Sequence, residues 1–194
     1  QRPPVLFSSV KSSNQAEVKK MAGVVDVIDM PAASAPALFN PLGGIAVLAT
    51  NTWLAWQACN ALKTEWQTSE HASYNSDDYQ QALLDNAAKP GEVIRKLGNF
   101  EQATADAARV VDASYYAPHL AQAPMEPPAA TAVVTDDSAE IWACVQSPQT
   151  ARQQVAGALK LPLENVTINV TLLGGGFGRK AKPDFAVEAA LLAR

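Results

Sequence analysis

The sequence predicts an α+β fold. Three observations carry that prediction. β-branched runs and capped helical runs follow one another in an irregular order. Proline- and glycine-rich breaks divide the chain into groups of such runs. One alternating strand leads straight into a glycine cluster with a helix behind it.

The elements of the first third run helix, strand, strand, helix, strand. Ser12-Ser13-Asn14 precedes a short helix, where Asn14 and Glu17 stand at capping-box spacing and Gly23 supplies the stop. Val24 to Ile28 is β-rich, and Ala33 to Leu42, with Pro36 and Pro41, reads as loop. Gly44 to Thr50 is a short continuous apolar run, which suits a strand buried on both faces. Asn51-Thr52 caps a helix over Trp53 to Leu62, in which Trp53 and Trp56 are expected to pack, and Lys63 to Gln67 is a return strand carrying Trp66. Residues 1–67 thus form one module.

Residues 68–99 read as a connector with one helix, capped by Ser76 and closed by Pro90-Gly91. A second module spans 100–194. Glu101 to Ala108 is helical and runs into a strand at Val110 to Tyr116, after which four prolines between 118 and 128 exclude regular sheet. Thr131 to Thr135 and Glu140 to Val145 make a hairpin. Ser147-Pro148 opens an amphipathic helix ending near Leu159. Val166, Ile168, Val170 and Leu172 alternate with other residues as a half-buried strand, and Pro183 to Arg194 begins another helix.

Composition bounds the function. The 194 residues carry 15 Lys+Arg against 19 Asp+Glu, a net charge of −4 that leaves no electrostatic footprint for nucleic acid or anionic lipid. Apolar residues are 48% of the chain, but 36 of them are alanine, so the core must rely on close packing of small side chains. No apolar run approaches the roughly 20 residues of a spanning helix. Cys59 and Cys144 are too few for a disulfide framework and have no ligand-spaced neighbours, so no metal ligands are expected. The chain opens at Gln1-Arg2-Pro3-Pro4 and stops inside a helix, which reads as a piece of something longer.

The strongest chemical signal is Gly174-Gly175-Gly176-Phe177-Gly178-Arg179-Lys180. Four glycines in five positions allow positive φ and let several N–H groups face one ligand, typically an anion; a plain tight turn explains them equally well. The nucleotide alternatives fail. A dinucleotide fingerprint needs a small residue where Arg179 stands, and a Walker loop needs Ser or Thr after its lysine, where Ala181 follows Lys180. Glu126, set between prolines, is expected to brace a loop by accepting backbone N–H bonds. His71 and His119 lack visible partners, and Arg179 and Lys180 suit either a cofactor phosphate or a solvated charge pair.

Taken together, Ala123-Pro124-Met125-Glu126-Pro127, Gln146-Ser147-Pro148-Gln149-Thr150-Ala151-Arg152 and Leu173 to Lys180 resemble, in order and spacing, the large subunits of the molybdenum hydroxylases, the xanthine oxidase/aldehyde oxidase superfamily. The GGGFGRK form followed by Asp184-Phe185 resembles the branch of isoquinoline 1-oxidoreductase β-subunits and bacterial aldehyde dehydrogenases. Gly44 to Trp66 is similar to that branch's α/β hammerhead module. The resemblance implies a hammerhead-like module at 1–67 and the first part of a molybdopterin-binding domain at 100–194.

It also implies roles. Gln146 matches the glutamine that hydrogen-bonds an oxo group of the molybdenum centre, a task an uncharged amide donor suits. Gly175, Gly176, Phe177, Gly178 and Arg179 match the cofactor loop, with Phe177 also near the substrate. Ala181 stands where xanthine oxidases carry an acidic residue, which disfavours purines and favours an aldehyde or an apolar N-heterocycle. The general-base glutamate of the family lies downstream of this sequence. Electrons would leave through [2Fe-2S] clusters on a small subunit, and from there to a c-type cytochrome in some members; two cysteines cannot hold a cluster here. Export to the periplasm is common in the branch. A fragment of this kind is expected to be inactive alone and to self-associate through surfaces the rest of a subunit would cover. The alternative from another class is a non-catalytic α/β interaction or assembly module with a structural glycine turn.

Overall fold

The computed structural model of the chain describes residues 1–194. It is α+β, with seven strands and six α-helices: β1 (Ser9–Ser13), α1 (Gln15–Val18), β2 (Val24–Met30), β3 (Gly44–Ala49), α2 (Thr52–Ala61), β4 (Thr64–Gln67), α3 (Ser76–Ala87), α4 (Phe100–Asp106), β5 (Ala130–Val134), β6 (Ala139–Ala143), α5 (Pro148–Leu159), β7 (Val166–Val170) and α6 (Asp184–Ala193). Contacts group residues 1–72 with 122–194 in one compact unit and leave 73–121 as another. Contacts therefore divide the chain differently from the composition, which separates 1–67, 68–99 and 100–194.

In residues 1–72, β1 pairs antiparallel with β4, and β2 with β3, each ladder interrupted by one irregularity. Val18, Ile45, Ala58 and Leu62 form the small core between α1, β3 and α2. Asn51 caps α2 as expected, its side chain accepting from Leu54 N–H at 2.9 Å. Gly23 has φ +77°, and a Cβ there would stand 2.4 Å from Leu54 Cδ1, so only glycine lets the chain turn beneath α2.

β1 was not anticipated, because Ser-Val-Lys-Ser-Ser lacks an apolar alternation and gains its place by pairing with β4. Asn14 forms no capping bond to a backbone N–H of α1. Its side chain instead reaches across to the turn between α2 and β4, accepting from Lys63 N–H at 2.7 Å and donating to Ala61 O at 3.2 Å. The β3 strand is buried only at Gly44 and Ile45, since a two-stranded ribbon covered by one helix has a half-open face. Trp53 and Trp56 are exposed on α2, with ring centroids 5.5 Å apart, and touch each other rather than the core.

In residues 122–194, β5, β6 and β7 form one sheet. β5 and β6 are a hairpin, and β7 lies parallel to β6. A parallel pair needs a crossover, and α5 provides it. The α5 residues Ala151, Val155, Ala156 and Leu159 are buried at helical spacing. With Ile141, Val145, Val166 and the α6 residues Phe185, Ala186, Val187 and Ala190 they make up most of a single core. Six of its fourteen buried residues are alanine, which lets α5, α6 and the sheet approach closely. Ser147 makes no side-chain capping bond, so Pro148 at the first turn and the αL residue Lys160 at the end delimit α5.

In residues 73–121, α3 and α4 bury no side chain. The cap of α3 is Asn75, whose side chain accepts from Asp77 and Asp78 N–H, and not Ser76. Val110 to Tyr116 is not a strand. It meets no partner strand, and β-propensity without pairing forms no sheet. No helix of the chain is long and apolar enough to cross a membrane.

Candidate functional site

The site is built where β7 ends and the chain returns to α6. Four glycines are needed there for two different reasons. Gly175 and Gly178 take φ of +91° and +90°, a region in which a side chain is strained. Gly174 and Gly176 are needed for close approach instead: a Cβ on Gly174 would lie 2.6 Å from Glu126 Cβ, and one on Gly176 would lie 2.5 Å from Gln146 Oε1. Phe177, between them, holds φ +50° without being glycine, and its ring is largely exposed.

The hydrogen bonds explain how this loop keeps its shape. Gln146 lies three residues beyond the last residue of the hairpin, and its N–H donates to Lys180 O at 3.0 Å. Its side-chain Oε1 accepts from Gly178 N–H at 3.1 Å. That fixes the amide with its carbonyl on the loop. The Nε2 group makes no hydrogen bond within the protein. The N–H groups of Gly175, Gly176 and Phe177 have no protein acceptor either, although Gly176 is buried. Three successive backbone donors and one amide donor beside the same loop are therefore left without a protein acceptor, with no formal charge among them, a set that fits a cofactor rich in oxygen and other acceptor atoms.

The charged residues of the motif turn inward. Arg179 forms a two-pronged pair with Asp184, both contacts at 2.9 Å, and also donates to Lys182 O at 3.3 Å. Lys180, a candidate for a cofactor phosphate or a solvated surface charge, is completely buried and donates to Glu126 Oε2 at 2.6 Å. Glu126 Oε2 also accepts from Gly174 N–H at 2.8 Å, the bracing expected of it. The Lys180 contact, and next the Gly174 N–H, hold the Glu126 carboxyl below the usual carboxylate range. For Lys180, burial favours the neutral amine, but the Glu126 carboxylate, with Cys144 close by, outweighs it and raises its pKa.

The structure thus brings Gln146, Gly175, Gly176, Phe177 and Gly178 together, and it directs the Arg179 guanidinium to Asp184. His119 lies elsewhere, its ring 5.3 Å from that of Tyr79, and His71 stands 5.4 Å from the ring of Phe7. No group of three or more His, Cys, Asp or Glu side chains could hold a metal ion. A groove of about 640 Å³ is lined by Phe39, Gln153, Val187 and Leu191, among others, and shares no residue with the glycine loop. Sequence reasoning missed the buried pairing of Lys180 with Glu126, since no spacing rule links positions 54 apart. The one signal was that the motif's lysine is followed by Ala181, with no carboxylate beside it.

A family model for the molybdopterin cofactor-binding domain matches residues 85–194. The membrane-bound aldehyde dehydrogenase [pyrroloquinoline-quinone] of Gluconacetobacter polyoxogenes is 32% identical over 198 residues, covering 99% of this chain and 25% of that protein. The isoquinoline 1-oxidoreductase subunit beta of Brevundimonas diminuta is 27% identical over 209 residues, covering 100% of this chain and 26% of that one. Among solved structures, the aldehyde oxidoreductase from Desulfovibrio gigas shares the fold with a TM-score of 0.64 at 18% identity, over 97% of this chain and 25% of that chain. The chain spans about a quarter of the length of the curated relatives it matches. The matched region holds Gln146 and the whole glycine loop, and the chain belongs to the molybdopterin cofactor-binding domain family.

Proposed function

We propose that this chain supplies part of the molybdopterin site in the catalytic subunit of an oxidoreductase that hydroxylates an aldehyde or an N-heterocycle with oxygen derived from water. One observation supports this reading above the others. Gln146 Oε1 is pinned by Gly178 N–H while Nε2 and three successive loop N–H groups stay free to donate. A glycine turn of purely structural use has no need to bring a glutamine side chain against Gly176, where even a Cβ would collide with it.

Bound molybdopterin would supply the metal centre for two-electron oxidation. The chain's own residues bind and orient it. Gly175, Gly176 and Phe177 N–H groups would donate to acceptor atoms of the cofactor. Gln146 Nε2 would donate to an oxo oxygen without adding charge. Phe177, exposed and held at positive φ, would form an apolar wall for substrate. Arg179 would act mainly through Asp184, by fixing the start of α6. In this proposal the general base belongs to sequence beyond this chain, and electrons leave through a [2Fe-2S] partner subunit and, in one version, a c-type cytochrome.

The test uses full-length protein expressed with the molybdenum cofactor machinery. Elemental analysis is expected to find about one molybdenum per polypeptide, and Gln146→Ala is expected to lower kcat about 10²-fold, the usual cost of losing one preorganised donor. Protein without molybdenum overturns the proposal. Stoichiometric pyrroloquinoline quinone in its place would align the chain with its Gluconacetobacter relative, which is named for that quinone.

A further inference from the structure

We propose that Glu126 and Lys180 are positioning residues, an ionic latch that sets where the free donors of the glycine loop and Gln146 Nε2 point. The proposal rests on the cofactor reading above. The geometry is a closed ring of contacts. Glu126 N–H donates to Gly174 O at 3.1 Å, and Glu126 Oε2 accepts from Gly174 N–H at 2.8 Å, so the first residue of the loop is held on both its backbone groups. The same Oε2 accepts from Lys180 Nζ at 2.6 Å at the loop's other end. The Lys180 carbonyl in turn accepts from Gln146 N–H at 3.0 Å, and Gln146 Oε1 accepts from Gly178 N–H at 3.1 Å. One carboxylate oxygen therefore ties both ends of residues 174–180 together, and the lysine it holds carries the backbone of the glutamine.

The electrostatics explain why the latch is rigid. An ammonium with no exposure is tolerated only with a close counter-charge, and Glu126 is the sole carboxylate within ion-pair distance of Lys180. Without that charge Lys180 must become neutral or swing toward water. Either response gives up the charged tie to Glu126 and frees the end of the loop that carries the Lys180 carbonyl and, through it, the Gln146 backbone. Neither Glu126 nor Lys180 belongs to the set of free donors, so their effect is carried through Gly174, Gly178 and Gln146.

The experiment compares Glu126→Gln, Lys180→Met and the double variant in the full-length holoprotein. Glu126→Gln keeps an acceptor for Gly174 N–H and removes only the charge. Hydrogen exchange of peptides spanning 171–182, read by mass spectrometry, is expected to quicken at least tenfold in each single variant while peptides of β6 and α5 keep their wild-type rates. The kcat is expected to fall about tenfold or more with KM changed less than about threefold, because a small misplacement of the orienting groups is felt in the reaction and not in substrate contact. The double variant should cost no more than Lys180→Met alone. Loop exchange and kcat within twofold of wild type in both single variants would overturn the latch. If exchange rises in β6 as well, Glu126→Asp replaces Glu126→Gln. Keeping the charge, it is expected to restore slow exchange in 171–182, and exchange there as fast as in Glu126→Gln overturns the proposal. A wild-type protein lacking molybdenum removes the cofactor reading but leaves the exchange result standing, so the two fail separately.

Discussion

The two hydrophobic clusters of the compact unit 1–72 with 122–194 differ in size and in how they are closed. Around β6, α5 and α6, fourteen buried residues form a continuous core of mostly small side chains. Around α1, β3 and α2 there are four. The smaller part compensates with polar ties between distant positions: Asn14 to Lys63 and Ala61, Ser12 and Lys11 to Glu65, and Ser69 to Leu6. The difference locates rigidity. The glycine loop and Gln146 hang from the larger core, through β7, the end of β6 and the start of α6, so the groups that must hold a geometry are fixed where burial is deepest.

Truncation separates the two clusters most sharply. Ile141 is fully buried in the central strand β6 among residues on both helices, so Ile141→Ala is expected to cost about 4 kcal/mol in a denaturant titration. Ile45 is nearly as buried but has far fewer buried partners, and its half-open ribbon can relax into the space. Ile45→Ala is expected to cost about 2 kcal/mol. Equal losses would mean that the smaller cluster is as tightly packed as the larger one, and the comparison would then break.

The fold was legible in the sequence where a local signal and its tertiary partner lay close together. The hairpin of β5 and β6, the proline start of α5 and the presence of β7 read correctly because turn chemistry and periodicity are short-range, but the expected inward face of β7 stops at Ile168, since Val170 and Leu172 are exposed. Where the deciding partner was distant, the reading failed. β1 exists because β4, more than fifty residues on, supplies its hydrogen bonds, and Val110 to Tyr116 stays irregular because no strand does. At the site the glycine motif and Gln146 were legible, and the reason for each glycine was not. Two serve positive φ and two admit Glu126 and Gln146, a distinction set only by three-dimensional neighbours. Lys180 misled for the same cause: a lysine in a loop reads as solvated unless the carboxylate that buries it can be seen.

The polar ties of the smaller cluster give a weaker, pH-dependent effect. Glu65 is held below its ordinary value of 4.5, first by the Lys11 hydrogen bond and then by Ser12. A depressed carboxylate means the unfolded chain takes up the proton first. Its contribution is therefore complete above about pH 4.5 and is lost as pH falls through the lower folded value. Lys11→Met should leave stability at neutral pH nearly unchanged, as exposed pairs contribute little, and should shift the acid loss of the β1–β4 ladder to higher pH. Amide exchange along the Val10 and Trp66 pairing reads this directly. An unmoved acid limb would assign the ladder's stability to backbone pairing alone.

The smallest effect belongs to residues 73–121, which have neither kind of closure. Ile94 is 94% exposed, and α3 and α4 are held by the asparagine caps Asn75 and Asn99 without any buried side chain. Ile94→Ser removes an apolar side chain that has given up almost no contact with water, so the expected change in stability is within about 0.5 kcal/mol. The same substitution would lower self-association if apolar side chains of this segment join copies of the chain, which sedimentation at rising concentration measures independently of folding. A stability loss approaching that of Ile45→Ala would show instead that Ile94 is buried in solution, and the contrast between a segment without a core and two clusters with one would have to be redrawn.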